Sequence, residues 1–399
     1  MTEQINTPEL RFPGFEDKWV YKDFDDCIKI KTKLVDPRLD KYQNLPHIGP
    51  ANIEKNTGKI LSYKLVKAEN LVSGKFHFNE NDIIYGKINP QLQKICLPQF
   101  EGLSSADAYP LSCLDVFNKF IYYSLFTQRF YKYSVSVSMR TGMPKINREE
   151  LKNFKFVIPS YAEQKEIGDF FSKLDRQIEL EEEKLELLEQ QKKGYMQKIF
   201  SQELRFKDEN GNSYPDWSIK KIEDISKVNK GFTPNTKNDE YWDELNENWL
   251  SIAGMTQKYL YKGNKGITEK GASKHVKVDK DTLIMSFKLT LGKLAIVKEP
   301  IYTNEAICHF VWKESNVNTE YMYYYLNSIN ISTFGAQAVK GVTLNNDSIN
   351  SIIVKLPVIQ EQNKIAYFFN KLDKLIEKQS SKVELLKQRK QGLLQKMFV

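Results

Sequence analysis

The side chains that most often bind metals or act as nucleophiles are few in this chain and lie far apart. Its 399 residues include four cysteines and four histidines, and the cysteines form no CxxC pair. Zinc sites and disulfide frameworks need close and regular spacing of these residues, so the sequence predicts neither. The residues concerned are Cys27, Cys96, Cys113, Cys308, His47, His77, His275 and His309.

Motifs of common catalytic and nucleotide-binding sites are also missing from the sequence. It contains no GxGxxG after a strand, no GxxxxGK[ST], no HExxH and no GxSxG. Pro215 and Asp216 resemble the start of a nuclease site, but no acidic-x-Lys follows to complete a set of metal-binding carboxylates. The Asn/Asp-Pro-Pro-aromatic loop of amino-methyltransferases is absent as well. We therefore expect this chain to have no catalytic residue and no metal site.

The composition is that of a folded protein with more than one domain. Charged residues make up 28% of the chain, hydrophobic residues 41% and aromatic residues 12%, which is too apolar for disorder. No apolar run approaches the roughly 20 residues of a membrane-spanning helix, and the start lacks the pattern of a signal peptide. We expect a soluble, cytoplasmic protein. Its net charge of +8 permits a polyanionic partner without requiring one.

The chain contains a long internal repeat. The segment EQKEIGDFFSKLDRQIE at 163–179 returns as EQNKIAYFFNKLDKLIE at 361–377. The two copies begin with LRFPGFEDKW at 10–19 and LRFKDENGNSYPDW at 204–217. Because an internal repeat indicates repeated structure, we predict two copies of one unit, with shared ends and different middles.

Each copy ends in a long predicted helix. Pro159 and Pro357 close the preceding strand-like runs, and no proline interrupts the residues that follow. Apolar residues then recur at alternating spacings of three and four, which is typical of a coiled-coil seam. The predicted seam residues are Ile167, Phe171, Leu174, Ile178, Leu185 and Leu188 in the first helix, and Ile365, Phe369, Leu372, Ile376, Val383 and Leu386 in the second.

Polar residues interrupt the two seams at matching positions. Glu181 matches Gln379, and Lys192 matches Lys390; residues of this kind set register or partner choice. Two equal helices of one chain are expected to pack antiparallel about a pseudo-two-fold axis, with a globular domain at each end. An ordinary amphipathic helix that lies on a globular core is the alternative explanation of the pattern.

The two middles are predicted to be α+β domains. Alternating apolar residues in DIIYGKI and TLIMSF indicate half-buried strands, while IYYSLFTQRFYKY and EYMYYYLNSIN indicate aromatic-rich helices packed on them. The fold class is thus α+β, with two globular domains joined by a pair of long antiparallel coiled-coil helices. The predicted boundaries are 1–158 for the first domain, 159–200 for the first helix, 201–356 for the second domain and 357–399 for the second helix.

These segments together resemble a known family. The paired LRF…W starts, the segment GFTPNTKNDEYWD at 231–243 and the doubled EQ…FF.KLD tail are similar to those of type I restriction–modification specificity subunits, and the resemblance covers essentially the whole chain. One segment departs from the repeat. GFTP has no clear match in the first middle, where IKIKTKLVDPRLD at 28–40 takes its place.

The resemblance implies a non-catalytic reader of double-stranded DNA. Each middle would be a target recognition domain for one half of a bipartite site, and the helices would set the spacing and bind two modification (methyltransferase) subunits. Restriction subunits would join in the full complex. S-adenosylmethionine, ATP and Mg²⁺ would be used by those partners, with no cofactor bound by this chain.

Candidate DNA ligands are polar residues in the loops of both middles, because such side chains bind phosphates and base edges, although they are also usual in solvated turns. In the first domain they are Lys31, Lys33, Lys87, Asn89, Arg140, Thr141 and Lys145. In the second they are Lys230, Thr233, Asn235, Lys237, Lys288, Thr290, Lys293, Lys340 and Thr343.

Two other functions stay open at this point. A single-chain DNA-modifying or restriction enzyme would need the catalytic motifs that the sequence lacks. A coiled-coil scaffold without a DNA role would explain the helices but not the two basic α+β middles. A methyl-transfer assay on the lone chain and a salt-dependent DNA-binding assay distinguish these functions from a DNA reader.

Overall fold

The chain forms two compact units. The structure is a computed structural model that describes residues 7–139, 142–273, 275–288, 290–338 and 341–399. Unit 1 extends to Glu183 and also includes Ser380–Val399, and unit 2 is Lys184–Gln379. The divisions fall within the two long helices, so each unit contains one globular domain and a part of each helix.

Short strands and helices build the globular part of unit 1. Its strands are β1 (Val20–Asp23), β2 (Ile28–Ile30), β3 (Leu34–Val35), β4 (Pro46–Ile48), β5 (Lys64–Leu65), β6 (Lys75–Phe78), β7 (Ile83–Gly86), β8 (Ile95–Cys96), β9 (Gly102–Ser104), β10 (Ala108–Cys113) and β11 (Lys155–Ile158). Its helices are α1 (Phe24–Cys27), α2 (Asn118–Ser124), α3 (Gln128–Ser138), α4 (Arg148–Lys152) and the long α5 (Tyr161–Phe200), which continues into unit 2. Turns of 3₁₀ helix lie at Asp40–Tyr42, Pro50–Asn52, Val66–Ala68 and Pro90–Leu92.

Unit 2 follows a similar order of elements. Its strands are β12 (Ser218–Lys221), β13 (Ser226–Lys230), β14 (Trp249–Leu250), β15 (Tyr259–Leu260), β16 (Leu283–Ser286), β17 (Leu294–Val297), β18 (Tyr302–Thr303), β19 (Ile307–Trp312), β20 (Ala336–Ala338), β21 (Gly341–Thr343) and β22 (Ile353–Leu356). Its helices are α6 (Ile222–Ile225), α7 (Glu269–Ala272), α8 (Thr319–Ser328), α9 (Asn346–Asn350) and the long α10 (Ile359–Met397), which continues into unit 1. Turns of 3₁₀ helix lie at Asp239–Tyr241, Ile252–Gly254 and Ile331–Phe334.

The central sheets of the two units have the same strand order. The sheet of unit 1 runs β2-β10-β7-β8 and is antiparallel throughout. The sheet of unit 2 runs β13-β19-β16-β17, and β15 adds to it in parallel. A two-stranded ribbon, β1 with β11 or β12 with β22, precedes each long helix. The α+β prediction is confirmed, and the repeat extends through the middles that looked divergent.

The prediction that the central strands are half-buried is wrong. All four residues of β7 and of β16 are buried. Alternation places Ile83 and Tyr85 in the main core of unit 1, while Ile84 faces a second cluster with Ile48 and Phe78. Side chains alternate between the faces of a strand, so burial of every residue means that both faces are covered.

Outside the central sheet the two units differ. Unit 1 has a second sheet of order β3-β6-β9-β4-β5, in which only the β4–β9 pair is parallel among the described strands. In the corresponding part of its chain, unit 2 has a parallel pair, β14 with β18, and a loop-rich segment around Trp242 and Trp249. The divergence predicted for the middles therefore lies in these additions.

Each unit contains an antiparallel pair of segments from the two long helices. In unit 1, Phe171 packs against Phe398, and Asp175 forms an ion pair with Lys390 at 2.5 Å. Partners that move forward along α5 move backward along α10, which defines an antiparallel pair. In unit 2 the order recurs with Phe369 against Phe200 and Asp373 paired with Lys192 at 2.6 Å.

The predicted seam is buried unevenly. Eight of the twelve residues are buried and four are half-buried. The buried set is Ile167, Phe171, Leu174, Ile178, Ile365, Phe369, Leu372 and Val383, and the half-buried set is Leu185, Leu188, Ile376 and Leu386. Within the described part of the chain, no helix has the length and apolar character needed to cross a membrane.

Candidate nucleic-acid interface

Two loops that are far apart in the sequence meet at the end of β7 in unit 1. The backbone N–H of Ile146 donates to the carbonyl of Lys87 at 3.0 Å, and the N–H of Asn89 donates to the carbonyl of Pro144 at 2.8 Å. Asn147 then caps α4 by accepting from the N–H of Glu150 at 2.9 Å, which satisfies one of the free donors of that helix. We call residues 87–89 and 144–148 the first joint.

The first joint collects three of the residues predicted to bind DNA, which are Lys87, Asn89 and Lys145. Asn89 is held in the left-handed conformation, with φ of 50°, which asparagine tolerates better than most residues. The ammonium of Lys87 pairs with the carboxylate of Asp107 at 3.1 Å and lies 5.6 Å from the ring centre of Tyr109. Lys145 is exposed. The joint therefore presents cations and an amide at one surface.

Two other candidates of unit 1, Lys31 and Lys33, lie between β2 and β3. Lys31 forms an ion pair at 2.5 Å with Asp82, whose side chain is 5% exposed. Ser112 also donates to Asp82, at 2.6 Å. Lys31 is thus used inside the domain, where it neutralises a buried carboxylate. Lys33 is exposed and available to a polyanion.

Unit 2 has an equivalent joint at the end of β16. The N–H of Leu344 donates to the carbonyl of Phe287 at 3.2 Å, and Asn345 caps α9 by accepting from the N–H of Ser348 at 2.7 Å. We call residues 286–288 and 344–346 the second joint. Its backbone connection and cap match those of the first joint, although the side chains differ.

Two lysines flank one aromatic ring at the second joint. The ammonium of Lys230, at the end of β13, lies 4.7 Å from the ring centre of Phe287, and that of Lys288 lies 5.7 Å from it. Both lysines are exposed, and neither pairs with a carboxylate among the described residues. A ring face attracts cations, so the pair is held in place while its charge stays available to a phosphate.

The loop 231–238 leaves β13 directly after Lys230. A side chain at Gly231 would place its Cβ 2.0 Å from the carbonyl oxygen of Thr303, so only glycine allows this approach. Thr233 accepts from the side chain of Asn304 at 2.7 Å. The backbone carbonyl of Asn235 accepts from the indole of Trp242 at 3.2 Å, and Lys237 is exposed. The loop is anchored at its base and polar at its tip.

The remaining candidates are less informative. The carbonyl of Thr290 accepts from the hydroxyl of Ser286, and the half-buried Lys293 donates its backbone N–H to the same hydroxyl at 3.1 Å. Both therefore help to shape the turn after β16. The predicted ligands Arg140, Thr141 and Lys340 lie outside the described residues. Thr343 is the last residue of β21.

The repeated LRF…W and EQ residues attach each globular domain to its long helix. Arg11 donates two hydrogen bonds to Glu163, at 2.8 and 2.7 Å. Arg205 contacts Glu361 in the same way, at 3.2 and 2.8 Å. The carboxylates of Glu163 and Glu361 are 1% and 0% exposed. Bidentate pairs of this kind fix geometry as well as charge, so they define the orientation of each domain start on its helix.

The second repeated position is a glutamine. The side chain of Gln164 accepts from the N–H of Phe117 at 3.0 Å, and that of Gln362 accepts from the N–H of Asn318 at 2.8 Å. Each residue thereby satisfies a backbone donor next to the aromatic helix of its unit, α2 or α8. The residues that recur in both copies of the repeat therefore form contacts between each long helix and its globular domain.

A third repeated contact joins an aspartate, a tyrosine and a lysine. The hydroxyl of Tyr123 donates to Asp175 at 2.8 Å, and Lys390 pairs with the same carboxylate. In unit 2 the hydroxyl of Tyr324 donates to Asp373 at 2.5 Å. Burial raises the pKa of both tyrosines, which keeps the phenols protonated as donors.

Unit 2 adds one buried cation to this contact. Lys258, whose side chain is 12% exposed, pairs with Glu320 at 2.6 Å and donates to the hydroxyl of Tyr324 at 2.7 Å. It also contacts the side chain of Asn370 on α10. Burial lowers the pKa of Lys258, and the contact with Glu320 opposes that shift. Unit 2 thus has an additional polar connection between its sheet and its long helix.

Sequence reasoning assigned no role to Arg148, and it assigned none to Glu163 or Asp175, the residues that attach the first domain to its helix. Arg148 lies in the first joint on a floor formed by Phe76 and Tyr109, and its sequence neighbours gave no signal because those rings come from distant strands. The framework residues Glu163 and Asp175 did carry a signal, since both are identical in the two copies. Among the described residues, no group of histidine, cysteine and acidic side chains is placed to hold a metal.

The chain matches one family model twice. The model describes a type I restriction modification DNA specificity domain, and it matches residues 16–190 and 214–386. The two matched segments fall on the two copies of the repeat and together cover most of the chain.

Curated relatives match over different lengths. The type I restriction enzyme EcoDI specificity subunit of Escherichia coli is 34% identical over 165 residues, 41% of this chain and 36% of the relative. The MjaIX specificity subunit of Methanocaldococcus jannaschii is 30% identical over 50% of this chain and 48% of the relative. In both cases the match spans less than half the length of the relative. The MjaVIII specificity subunit of that organism is 24% identical over 98% of this chain and 95% of its own length.

Two solved structures share the fold over nearly the whole chain. The S subunit of a type I restriction-modification system from M. genitalium has a TM-score of 0.59 and 16% identity, covering 98% of this chain and 99% of that one. A chain from a study of complex assembly and conformational transition of a type I R-M system has a TM-score of 0.61 and 15% identity, covering 96% and 98%.

Proposed function

The chain belongs to the type I restriction modification DNA specificity family, and on that premise we propose that it is the sequence-recognition subunit of a type I restriction–modification complex. Each unit reads one half of a bipartite, double-stranded target. The chain itself transfers no methyl group and cuts no DNA.

The observation that carries this proposal is the pair of joints. The same backbone connection, Ile146 to Lys87 and Leu344 to Phe287, recurs in both units. Around it the cations differ, because unit 1 presents Lys87 and Lys145 whereas unit 2 presents Lys230 and Lys288. Lysines supply phosphate contacts that position a protein on DNA, and neighbouring polar groups supply base contacts. One scaffold with two different surfaces fits a target made of two different half-sequences.

The partners follow from the same proposal. Two modification subunits dock on the long helices and supply the adenine methyltransferase chemistry with S-adenosylmethionine, and restriction subunits supply ATP- and Mg²⁺-dependent cleavage. This chain holds none of these cofactors. The complex acts on cytoplasmic DNA.

The long helices set the gap between the half-sequences. They contain 40 and 39 residues, so each is about 60 Å long at about 1.5 Å per residue. Half-sequences whose centres are about 10 base pairs apart lie on the same side of the duplex. We therefore expect two short half-sequences separated by several unread base pairs.

Sequencing of methylated DNA tests the proposal. The chain is expressed with its modification subunits in cells that lack other adenine methyltransferases. Methylated adenines are expected at a bipartite sequence, and omission of this chain abolishes them. The purified chain alone should bind duplex DNA with an affinity that falls steeply with salt and should transfer no methyl group. Methyl transfer by the lone chain, or binding that salt does not weaken, contradicts the proposal.

A further inference from the structure

Arg148 occupies a fixed position in the first joint. It is the first residue of α4 and follows the capping residue Asn147 directly. The central carbon of its guanidinium lies 5.5 Å from the ring centre of Phe76 and 5.1 Å from that of Tyr109. The two rings are 3% and 7% exposed and contact each other edge to face. Arg148 therefore rests on a rigid aromatic floor.

The guanidinium has no counter-ion among the described residues. Arg11, Arg38, Arg176 and Arg205 each pair with a carboxylate. Arg148 forms no such pair in the described part of the chain, and its Nε is buried without an acceptor. A partly buried cation without a partner is unfavourable in the free protein. Its outer N–H groups remain for a ligand.

The chemistry of the joint separates two kinds of contact. Lys145 is an exposed cation, and Lys87 beside it is partly exposed and pairs with Asp107. Ammonium groups of this kind bind phosphates. Arg148 instead presents a planar fork held in position against two aromatic rings. A fork held in this way matches two acceptors at a fixed separation, which in the major groove is the O6 and N7 edge of guanine.

We propose that Arg148 reads a guanine in one half of the bipartite target, while the lysines beside it contact the backbone. This inference rests on the proposed function and adds a base and a residue to it. Arg148 is then a specificity-determining residue, because it contacts the guanine base directly.

The same position in unit 2 has different chemistry. Asn346 follows the cap there, as Arg148 does in unit 1. Cys308 takes the place of Tyr109, because both residues lie two positions before the residue that pairs with the start of the neighbouring central strand. Without an arginine and its aromatic floor, the second joint cannot reproduce this contact. The guanine contact therefore belongs to one half-sequence.

The test compares Arg148→Lys and Arg148→Met with the control Arg129→Met. Arg129 also lies against two rings, 5.8 Å from the centre of Tyr21 and 5.0 Å from that of Phe154, but it is beside the β1–β11 ribbon and not at the joint. Each variant is expressed with the modification subunits, and methylated sites are sequenced. In parallel, binding to duplexes with guanine or another base at each position is measured across a series of salt concentrations.

Both Arg148 variants should lose discrimination for guanine at one position of one half-sequence by about 10-fold or more. The other half-sequence and the gap should stay unchanged, and Arg129→Met should leave every base preference intact. Uniform weakening at all sequences with a shallower salt dependence would identify a phosphate contact and overturn the inference. So would a wild-type target without guanine, or unchanged discrimination in both variants. Absence of any bipartite methylation in wild type would instead refute the proposed function.

Discussion

The two units attach to the long helices through the same residue types, whereas their joints carry different ones. Arg11 and Arg205 each clamp a buried glutamate at the start of a helix. At the joints, however, a lysine and an arginine share the ring of Tyr109 in unit 1, and two lysines share the ring of Phe287 in unit 2.

This difference distinguishes residues that stabilise the fold from residues that are placed to contact a ligand. The attachment residues are buried and paired, so a change there is expected to alter stability. Among the joint residues, Lys145 and Lys288 are exposed, and Arg148 has no counter-ion in the described part of the chain, so a change at these positions is expected to alter binding. The repeat therefore marks the framework, and on the proposed function the departures from it mark the recognition surfaces.

The largest loss of stability is expected when the buried glutamate that pairs with Arg11 or Arg205 is replaced. Glu361→Ala removes the partner of Arg205 and of the indole of Trp217, which donates to Glu361 at 3.0 Å. Glu163→Ala removes only the partner of Arg11 among the contacts seen. Breaking a buried ion pair costs about 3–5 kcal/mol, and we expect the Glu361 variant to lose about 1 kcal/mol more because of the additional hydrogen bond.

Hydrogen exchange in the strands of each unit measures these free energies separately. Glu179, whose side chain is 47% exposed and pairs with Arg176 three residues earlier, provides the matched control. Its alanine variant should change stability by less than about 1 kcal/mol. Equal losses for the two clamp variants would show that the indole contact of unit 2 adds nothing.

The second prediction concerns Lys258, the cation that joins the tyrosine–aspartate contact of unit 2. Lys258→Met leaves Glu320 without its partner at 2.6 Å, and should destabilise unit 2 by about 2–3 kcal/mol with no change in unit 1. Combining it with Glu320→Gln should recover part of the loss, since the uncompensated charge is then removed. A double variant as unstable as the sum of the single ones would exclude an interaction between these residues.

The third prediction compares the half-buried seam residues of the two units. Leu188→Ala and Leu386→Ala each remove a partly buried side chain, for which about 1–2 kcal/mol is expected. Because the two residues are equivalent in the repeat, the losses should agree within about 0.5 kcal/mol. Urea unfolding at pH 7 measures both, and strongly unequal losses would mean that the seam is not equivalent in the two units.

The smallest predicted effect is a dependence of unit 2 stability on pH. Burial lowers the pKa of His309 in the folded chain below its usual 6.5, and Asp279 opposes the shift. The unfolded chain therefore binds more protons just below pH 6.5, so unit 2 should lose stability as pH falls through this range, by about 1 kcal/mol or less. His309→Gln should remove that loss. Exchange measurements at pH 7 and 5.5 test it, and an unchanged pH dependence in the variant would rule out His309 as the titrating group.

Much of the framework was predictable from sequence because it depends on periodicity and on identity between the copies. The seam residues and Pro159 are local signals of this kind. The joints depend instead on contacts between distant segments. Lys31 looked like a free loop cation, but Asp82, just before β7, neutralises it. Arg148 gains its setting from Phe76 and Tyr109, which no spacing rule connects to it.

The burial of the central strands illustrates the same limit. The alternation around Ile84 indicates two faces, and only the tertiary structure shows that Ile48 and Phe78 cover the second one. A sequence pattern identifies a strand more reliably than it identifies what lies above it.

The central claim is that one framework carries two independent readers, and replacement of one reader tests it most directly. Residues 226–350, from β13 to the end of α9, are exchanged for the corresponding segment of a relative with a different target, and the methylated sites of the resulting complex are sequenced. We predict that one half-sequence changes to that of the relative, while the other half-sequence and the gap are retained. A change in both half-sequences, in a complex that still methylates DNA, would contradict the claim.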